Sequence, residues 1–245
     1  MQCSSHSCKS AAVALAVVCS FFSVNISQGQ LSFNFTDLTT GGAPTEVTQG
    51  FIDAGNLWSN IFDDDITINV EYEYRGLGSG VLGSTRNERV SDSYADVLNA
   101  FTSDASSADD FTAVGNLQTG SSFSMLINRT TDNPNGLNSA TPYLDNNGSN
   151  NNSTIRLSRS NAKALGLIAG DNANKDGAIT FSNSFSWDFD RSNGISSGSF
   201  DFVGVAAHEI GHLLGFTSGV DILDGNGSGF SEDSFTWVNT LDLFR

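Results

Sequence analysis

The sequence predicts an α+β domain. Residues Ile66 to Tyr74 alternate strictly between apolar and polar, Gln49 to Phe62 place apolar residues at helical spacing, and the elements follow in the order helix, strand, helix, strands, helix. With 245 residues and 38% hydrophobic content, the chain is long enough for one ordinary core, with or without a tail.

The first 29 residues read as an export signal. Lys9 precedes an apolar run, Ala11 to Val18, and Ser27-Gln28-Gly29 offers the small residues that a signal peptidase reads. Cleavage is expected near Gln30, leaving residues 30–245 as the mature domain. The strictly apolar stretch is shorter than the roughly 20 residues that a membrane span needs. Cys3, Cys8 and Cys19, the three cysteines of the chain, all precede that cleavage point, so the expected mature domain has neither disulfide nor thiolate ligand.

Residues 30–48 read as an irregular or strand-like entry. The segment Gln49–Phe62 carries Ile52, Leu57, Trp58, Ile61 and Phe62, which suits an amphipathic helix closed by Asp63-Asp64-Asp65. Ile66–Tyr74 follows as a half-buried strand. Gly76 to Gly83 is a glycine-rich loop without the phosphate-cradle pattern. Ser93–Phe101 reads as a short helix, Phe123–Ile127 as a strand, and residues 130–152, dense in Asn, Gly, Asp and Pro, as a long loop. Ser153–Leu157 and Ala178–Phe181 are further strands, and Asn161–Ala169 is a helix ending at Gly170. Leu241–Arg245 reads as an apolar, strand-like run. The net charge of −16 speaks against nucleic acid and anionic lipid as partners.

One segment carries chemistry: His208-Glu209-Ile210-Gly211-His212, within an apolar helix that Asp201 caps and Gly215 ends. Positions four apart share a helix face, so His208 and His212 can offer two imidazoles to one metal. Imidazole donors at that spacing point to zinc, and Glu209, next to the first ligand, is the candidate general base for a zinc-activated water. Of three histidines in the chain, the two outside the signal are both in this motif, which lowers the chance that it is fortuitous.

Asp201 to Gly215 resembles the zincin metallopeptidases, and His212-Leu213-Leu214-Gly215-Phe216 looks like the metzincin extension, where a glycine turns the chain toward a third ligand. Residues 45–245 are also similar to a family of predicted secreted bacterial metalloproteases, through Gly78–Gly83, Asn161–Leu167 and His208–Gly215 followed by Ser218–Asp221; among characterised enzymes the likeness is to leishmanolysin-like metzincins. The resemblance implies a secreted zinc endopeptidase that cuts protein or peptide substrates lying against an edge strand. The chain departs from the pattern at Ser218, where the third histidine is expected, and it has no His after His212 and no Met after Met125. The resemblance therefore implies a third ligand and a methionine turn beyond Arg245, in a longer reading frame. The in-chain alternatives are the carboxylates Asp221, Asp224 and Glu232. A non-catalytic extracellular binding module, or an inactive metallopeptidase relative, is the rival reading.

Asn172-Ala173-Asn174-Lys175-Asp176-Gly177 matches the first half of a calcium loop, but its twelfth position is Asn183 where a bidentate Glu is expected; a hairpin turn is the plainer reading. Ser186–Asp190 is an aromatic, acidic patch, either structural or a second calcium contact. Arg156 and Arg159 are expected to pair with surface carboxylates.

Overall fold

The computed structural model describes residues 30–127, 133–136, 139–220, 222 and 235–244. The signal segment lies outside the described residues, as do Asp221, Asp224, Glu232 and Arg245. In chain order the elements are β1 (Ser32–Asp37), α1 (Thr45–Ser59), β2 (Thr67–Arg75), β3 (Gly83–Asn87), β4 (Arg89–Ser93), α2 (Tyr94–Asp104), α3 (Ala108–Gly115), β5 (Met125–Ile127) and β6 (Tyr143–Asp145). There follow β7 (Thr154–Ser158), α4 (Arg159–Ala164), β8 (Gly177–Ser182), β9 (Trp187–Asp188), β10 (Phe200–Asp201) and α5 (Phe202–Leu213). Helices and several small sheets are mixed along the chain, as an α+β class requires.

The main sheet has the order β1–β2–β8–β3. Its first three strands are parallel, and β3 runs antiparallel to β8 at the edge. Alternation in β2 buries Ile68, Val70 and Tyr72 on one face. Helices α1 and α5 cover that face and pack on each other. Phe51 of α1 sits at the centre, with ring centroids 4.6 Å from Tyr72, 5.1 Å from Phe181 and 5.5 Å from Phe202. The close approach depends on Gly50, because a β-carbon there would collide with the Phe202 ring. A second core, built on Tyr94, Val97, Phe123, Ile127, Ile155 and Leu157, lies under the β4–β7 pair, α2 and the β5–β6 hairpin.

Several expectations are corrected. The entry segment contains β1, and α1 begins at Thr45, directly after Pro44, so Val47 joins the core. β3, β4, α3 and β6 were not anticipated. β3 and β4 are polar strands with little apolar alternation, and α3 buries none of its residues, so periodicity gave no signal for them. α4 starts at Arg159, where Ser158 caps it, and stops five residues before the expected end because Gly166 takes a φ of 68°. Thr240–Phe244 forms a 3₁₀ turn instead of a strand. Trp187 and Asp188 of the aromatic–acidic patch form β9, paired with β10 in front of α5.

The arginines do not behave as surface partners. Arg156 lies over the Trp237 ring at 4.5 Å. Arg159 reaches the fully buried Asp176 at 3.4 Å and donates to Asn172 Oδ1. Asp176 also pairs with the buried Lys163 and accepts from the backbone N–H of Asn69. The carboxylate at the centre of the proposed calcium loop thus faces two cationic side chains and ties the β8 approach to β2 and α4.

Candidate metal centre

The chain enters α5 through Asp201, whose carboxylate accepts from the Gly204 N–H at 2.9 Å and pairs with Arg191 at 3.1 Å. Phe202, Val203, Ala206, Ile210 and Leu213 are buried against the sheet and α1, which fixes the rotation of the helix. Trp58 adds a tie from α1: its indole N–H donates to the Ala207 carbonyl at 3.0 Å. With the apolar stripe committed inward, His208 is left exposed, His212 half-buried, and Glu209 buried at the helix–sheet boundary.

The two imidazoles meet one helical turn apart, with ring centroids 4.5 Å apart and ring planes nearly perpendicular. His212 Nδ1 lies 2.8 Å from the Phe216 carbonyl oxygen. A carbonyl only accepts, so Nδ1 carries the proton and the lone pair belongs to Nε2. This is the arrangement that orients a metal-ligating histidine. The turn that delivers the Phe216 carbonyl depends on Gly215, whose φ is 109° and where a β-carbon would collide with Asn161 Oδ1. Asn161 in turn donates to the Leu214 carbonyl at 2.8 Å, and Asn87 of β3 donates to the His212 carbonyl at 2.8 Å.

Glu209 points to strand β3. Its Oε2 lies 2.7 Å from the Thr85 hydroxyl, which also lies 2.8 Å from the Glu209 carbonyl; the single hydroxyl proton serves these two acceptors. Gly83 makes room for the carboxylate, since a β-carbon there would stand 3.0 Å from Glu209 Cγ. His208, Glu209, Asp201, Gly204 and residues 80–83 line one open groove of about 560 Å³ between α5 and the start of β3.

No protein-family model, curated protein or solved structure matches this chain. What the site can do rests on its own geometry. Two imidazoles on one helix face, one of them with its second nitrogen anchored, are a donor set that fits zinc. Among the described residues, no three His, Cys, Asp or Glu side chains are placed so that they could together hold a metal ion. The carboxylates Asp221, Asp224 and Glu232, weighed as a third ligand, lie outside the described residues.

Thr85, Asn87, Asn161 and Trp58 support the motif from three distant parts of the sequence, and none was anticipated in that role. Thr85 and Asn87 sit in a polar strand that carries no periodic signal. Trp58 was expected only as an apolar residue of its helix.

Proposed function

We propose that this protein is an exported zinc-dependent endopeptidase acting on protein or peptide substrates, with His208 and His212 as metal ligands and Glu209 as general base. The observation that carries the reading is the sharing of one open groove by His208 and Glu209, directly below an edge strand. Bound zinc supplies a Lewis acid that polarises a carbonyl and brings the pKa of water to roughly 7. Glu209 accepts the proton of the attacking water and delivers it to the departing amine nitrogen. Thr85 holds the carboxylate at the groove wall while it does so. The free edge of β3 offers backbone groups to an extended peptide. Export rests on the N-terminal 29 residues, and among the described residues no helix is long and apolar enough to cross a membrane.

The zincin likeness supports this assignment through the order of elements: the helix that carries Trp58, the β2 strand and then the motif helix. The rival is a metal-binding relative without turnover. The test uses the purified protein with a fluorescently labelled unfolded protein as substrate. The expected result is hydrolysis that a chelator stops, that zinc restores, and that Glu209→Gln slows by about 10²–10⁴-fold with zinc binding intact. Zinc binding without hydrolysis in any condition selects the rival, and the absence of both rejects the zinc reading.

A further inference from the structure

The β4–β7 ribbon gives one face to the second core, through Val90, Ile155 and Leu157. By alternation Arg89, Ser91 and Arg156 share the opposite face. Arg156 stands opposite Ser91, and Arg89 stands opposite Ser158, two places further along. The two arginines are therefore diagonal neighbours, at about 7–8 Å, within reach of each other's long side chains. Both guanidinium groups close on the Trp237 ring, Arg156 at 4.5 Å and Arg89 at 5.6 Å from its centroid. A ring takes the face of a guanidinium and leaves its in-plane N–H donors to other partners.

Those donors are unused. Arg75, Arg159, Lys163, Lys175 and Arg191 each pair with a carboxylate. Among the described residues no carboxylate lies within 4.0 Å of Arg89 or Arg156, and neither side chain makes a hydrogen bond, although the chain carries a net charge of −16. Arg156 Nε is closed off from solvent, but the two Nη groups of Arg156 and the side-chain nitrogens of Arg89 keep solvent contact. Burial, and then the charge of Arg156, hold the Arg89 guanidinium below its ordinary value. A smaller opposing pull comes from Asp242, whose carboxylate already accepts from the N–H groups of Gly219 at 2.7 Å and Asn239 at 3.0 Å. Two cations thus repel each other beside one ring of an acidic chain.

We propose that Arg89 and Arg156, with the exposed Ser91 hydroxyl between them on the ribbon, bind a compact phosphate dianion, either the free ion or the head of a small phosphomonoester. A guanidinium fork matches phosphate oxygens two at a time, and two forks match two negative charges. An anion placed there relieves the repulsion between the arginines. A long polyanion is a poor guest, because the rest of the acidic surface repels it. The site lies on a different core from the groove at His208 and Glu209 and does not depend on zinc.

The test is calorimetric titration of the purified, metal-free protein with inorganic phosphate at constant ionic strength, at about pH 8, where phosphate is a dianion. Saturable 1:1 binding is expected, at least about tenfold tighter than that of acetate. Arg89→Gln and Arg156→Gln are each expected to weaken phosphate by at least about tenfold. Arg156→Lys keeps the charge without the fork and is expected to weaken it less than Arg156→Gln does. Methyl phosphate separates the two sources: affinity like that of phosphate assigns the site to esters as well, and a loss of about tenfold or more assigns it to the free ion. Absence of saturable phosphate binding to the unmodified protein overturns the proposal. So does an affinity no better than that of acetate, or one that both Gln variants leave unchanged. The comparison of phosphate with acetate needs no variant, so it stands even where a substitution impairs folding.

Discussion

His212 Nδ1 lies 2.8 Å from the carbonyl oxygen of Phe216, four residues further along the chain. The motif histidine is thereby anchored by the turn that terminates its own helix, and its Nε2 lone pair is available. Loss of an outer partner of a ligating histidine commonly costs about 10–100-fold in metal affinity. Removal of a ligand itself costs more. His208→Ala and His212→Ala are each expected to lower zinc affinity by at least about 100-fold, measured by competition with a chromogenic chelator. Unchanged affinity in either variant removes that residue from the ligand set.

The carboxylate of Glu209 is gripped by Thr85, and the two roles can be separated. Glu209→Gln is expected to reduce turnover by about 10²–10⁴-fold, the usual share of general acid–base catalysis, with zinc affinity retained. Thr85→Val leaves one oxygen of a buried carboxylate without a donor, a loss of about 1–3 kcal/mol of stability. It is expected to lower kcat while KM and zinc affinity hold, and Thr85→Ser is expected to rescue kcat. A variant that loses stability alone, with kcat unchanged, would show Thr85 to be a structural tie only.

The motif helix and β2 were legible in the sequence because each commits an apolar stripe to one core, and that commitment is written in periodicity; α1 was legible as a helix but not in its inward face, since Val47, Phe51 and Ala54 meet the core while Ile52, Leu57 and Ile61 stay exposed. Phe202, Ala206, Ile210 and Leu213 read directly as an inward face. β3 was not legible. Gly83-Ser84-Thr85-Arg86-Asn87 is a polar run whose identity as a strand comes from pairing with β8, whose residues lie 98 positions away at Gly83–Phe181 and 90 at Asn87–Gly177. Half of the candidate site, the Thr85 and Asn87 side, therefore had no local signal. α3 went unread, since none of its side chains is buried; in the structure it opens on a capping box, Ser107 with Asp110.

Gly215 is the point where the helix end and the site depend on one backbone conformation. Its φ of 109° disfavours any side chain, and a β-carbon would strike Asn161 Oδ1. Gly215→Ala is expected to destabilise the fold by more than about 1 kcal/mol. It is also expected to weaken zinc binding, because the displaced turn carries the Phe216 carbonyl away from His212. Urea unfolding and chelator competition on the same preparation check both; wild-type values in both would mean that the turn relaxes freely.

Acid sensitivity follows from hydrogen-bonded carboxylates. For Asp37, partial burial pushes the pKa up, but the N–H groups of Ala43 and Thr39, at 2.7 and 2.8 Å, prevail and hold it below the ordinary range. For Asp188, the hydrogen bonds from Ser196 and Asp190 act in the same direction. A carboxyl whose folded pKa is depressed binds fewer protons folded than unfolded, so its contribution is present above the unfolded value of about 3.9 and is lost as pH falls through the folded one. Stability is expected to drop below about pH 4, and Asp37→Asn is expected to shrink the drop by removing one such group. Urea midpoints at neutral and acid pH for both proteins measure it; an equal drop in the two excludes Asp37.

Lys163 is fully buried, with its ammonium on Asp176 and on the Thr67 carbonyl at 2.6 Å. Asp176 also receives the Asn69 N–H at 2.8 Å, so the pair joins α4, β2 and the start of β8 at one point. Breaking a buried pair by removing one partner commonly costs about 3–5 kcal/mol, because the remaining charge is stranded. Lys163→Met is expected to destabilise by about that amount, with Arg159, 3.4 Å from Asp176, offsetting part of it. Asp176→Asn strands both cations and is expected to be at least as damaging. The double variant Lys163→Met with Asp176→Asn removes both charges of the pair and is expected to recover part of the loss, so a double-mutant cycle in urea yields a coupling well outside additivity. Simple additivity would mean that each side chain acts through its backbone hydrogen bond, Lys163 to Thr67 and Asp176 to Asn69, and that the ion pair itself contributes nothing to joining the three elements.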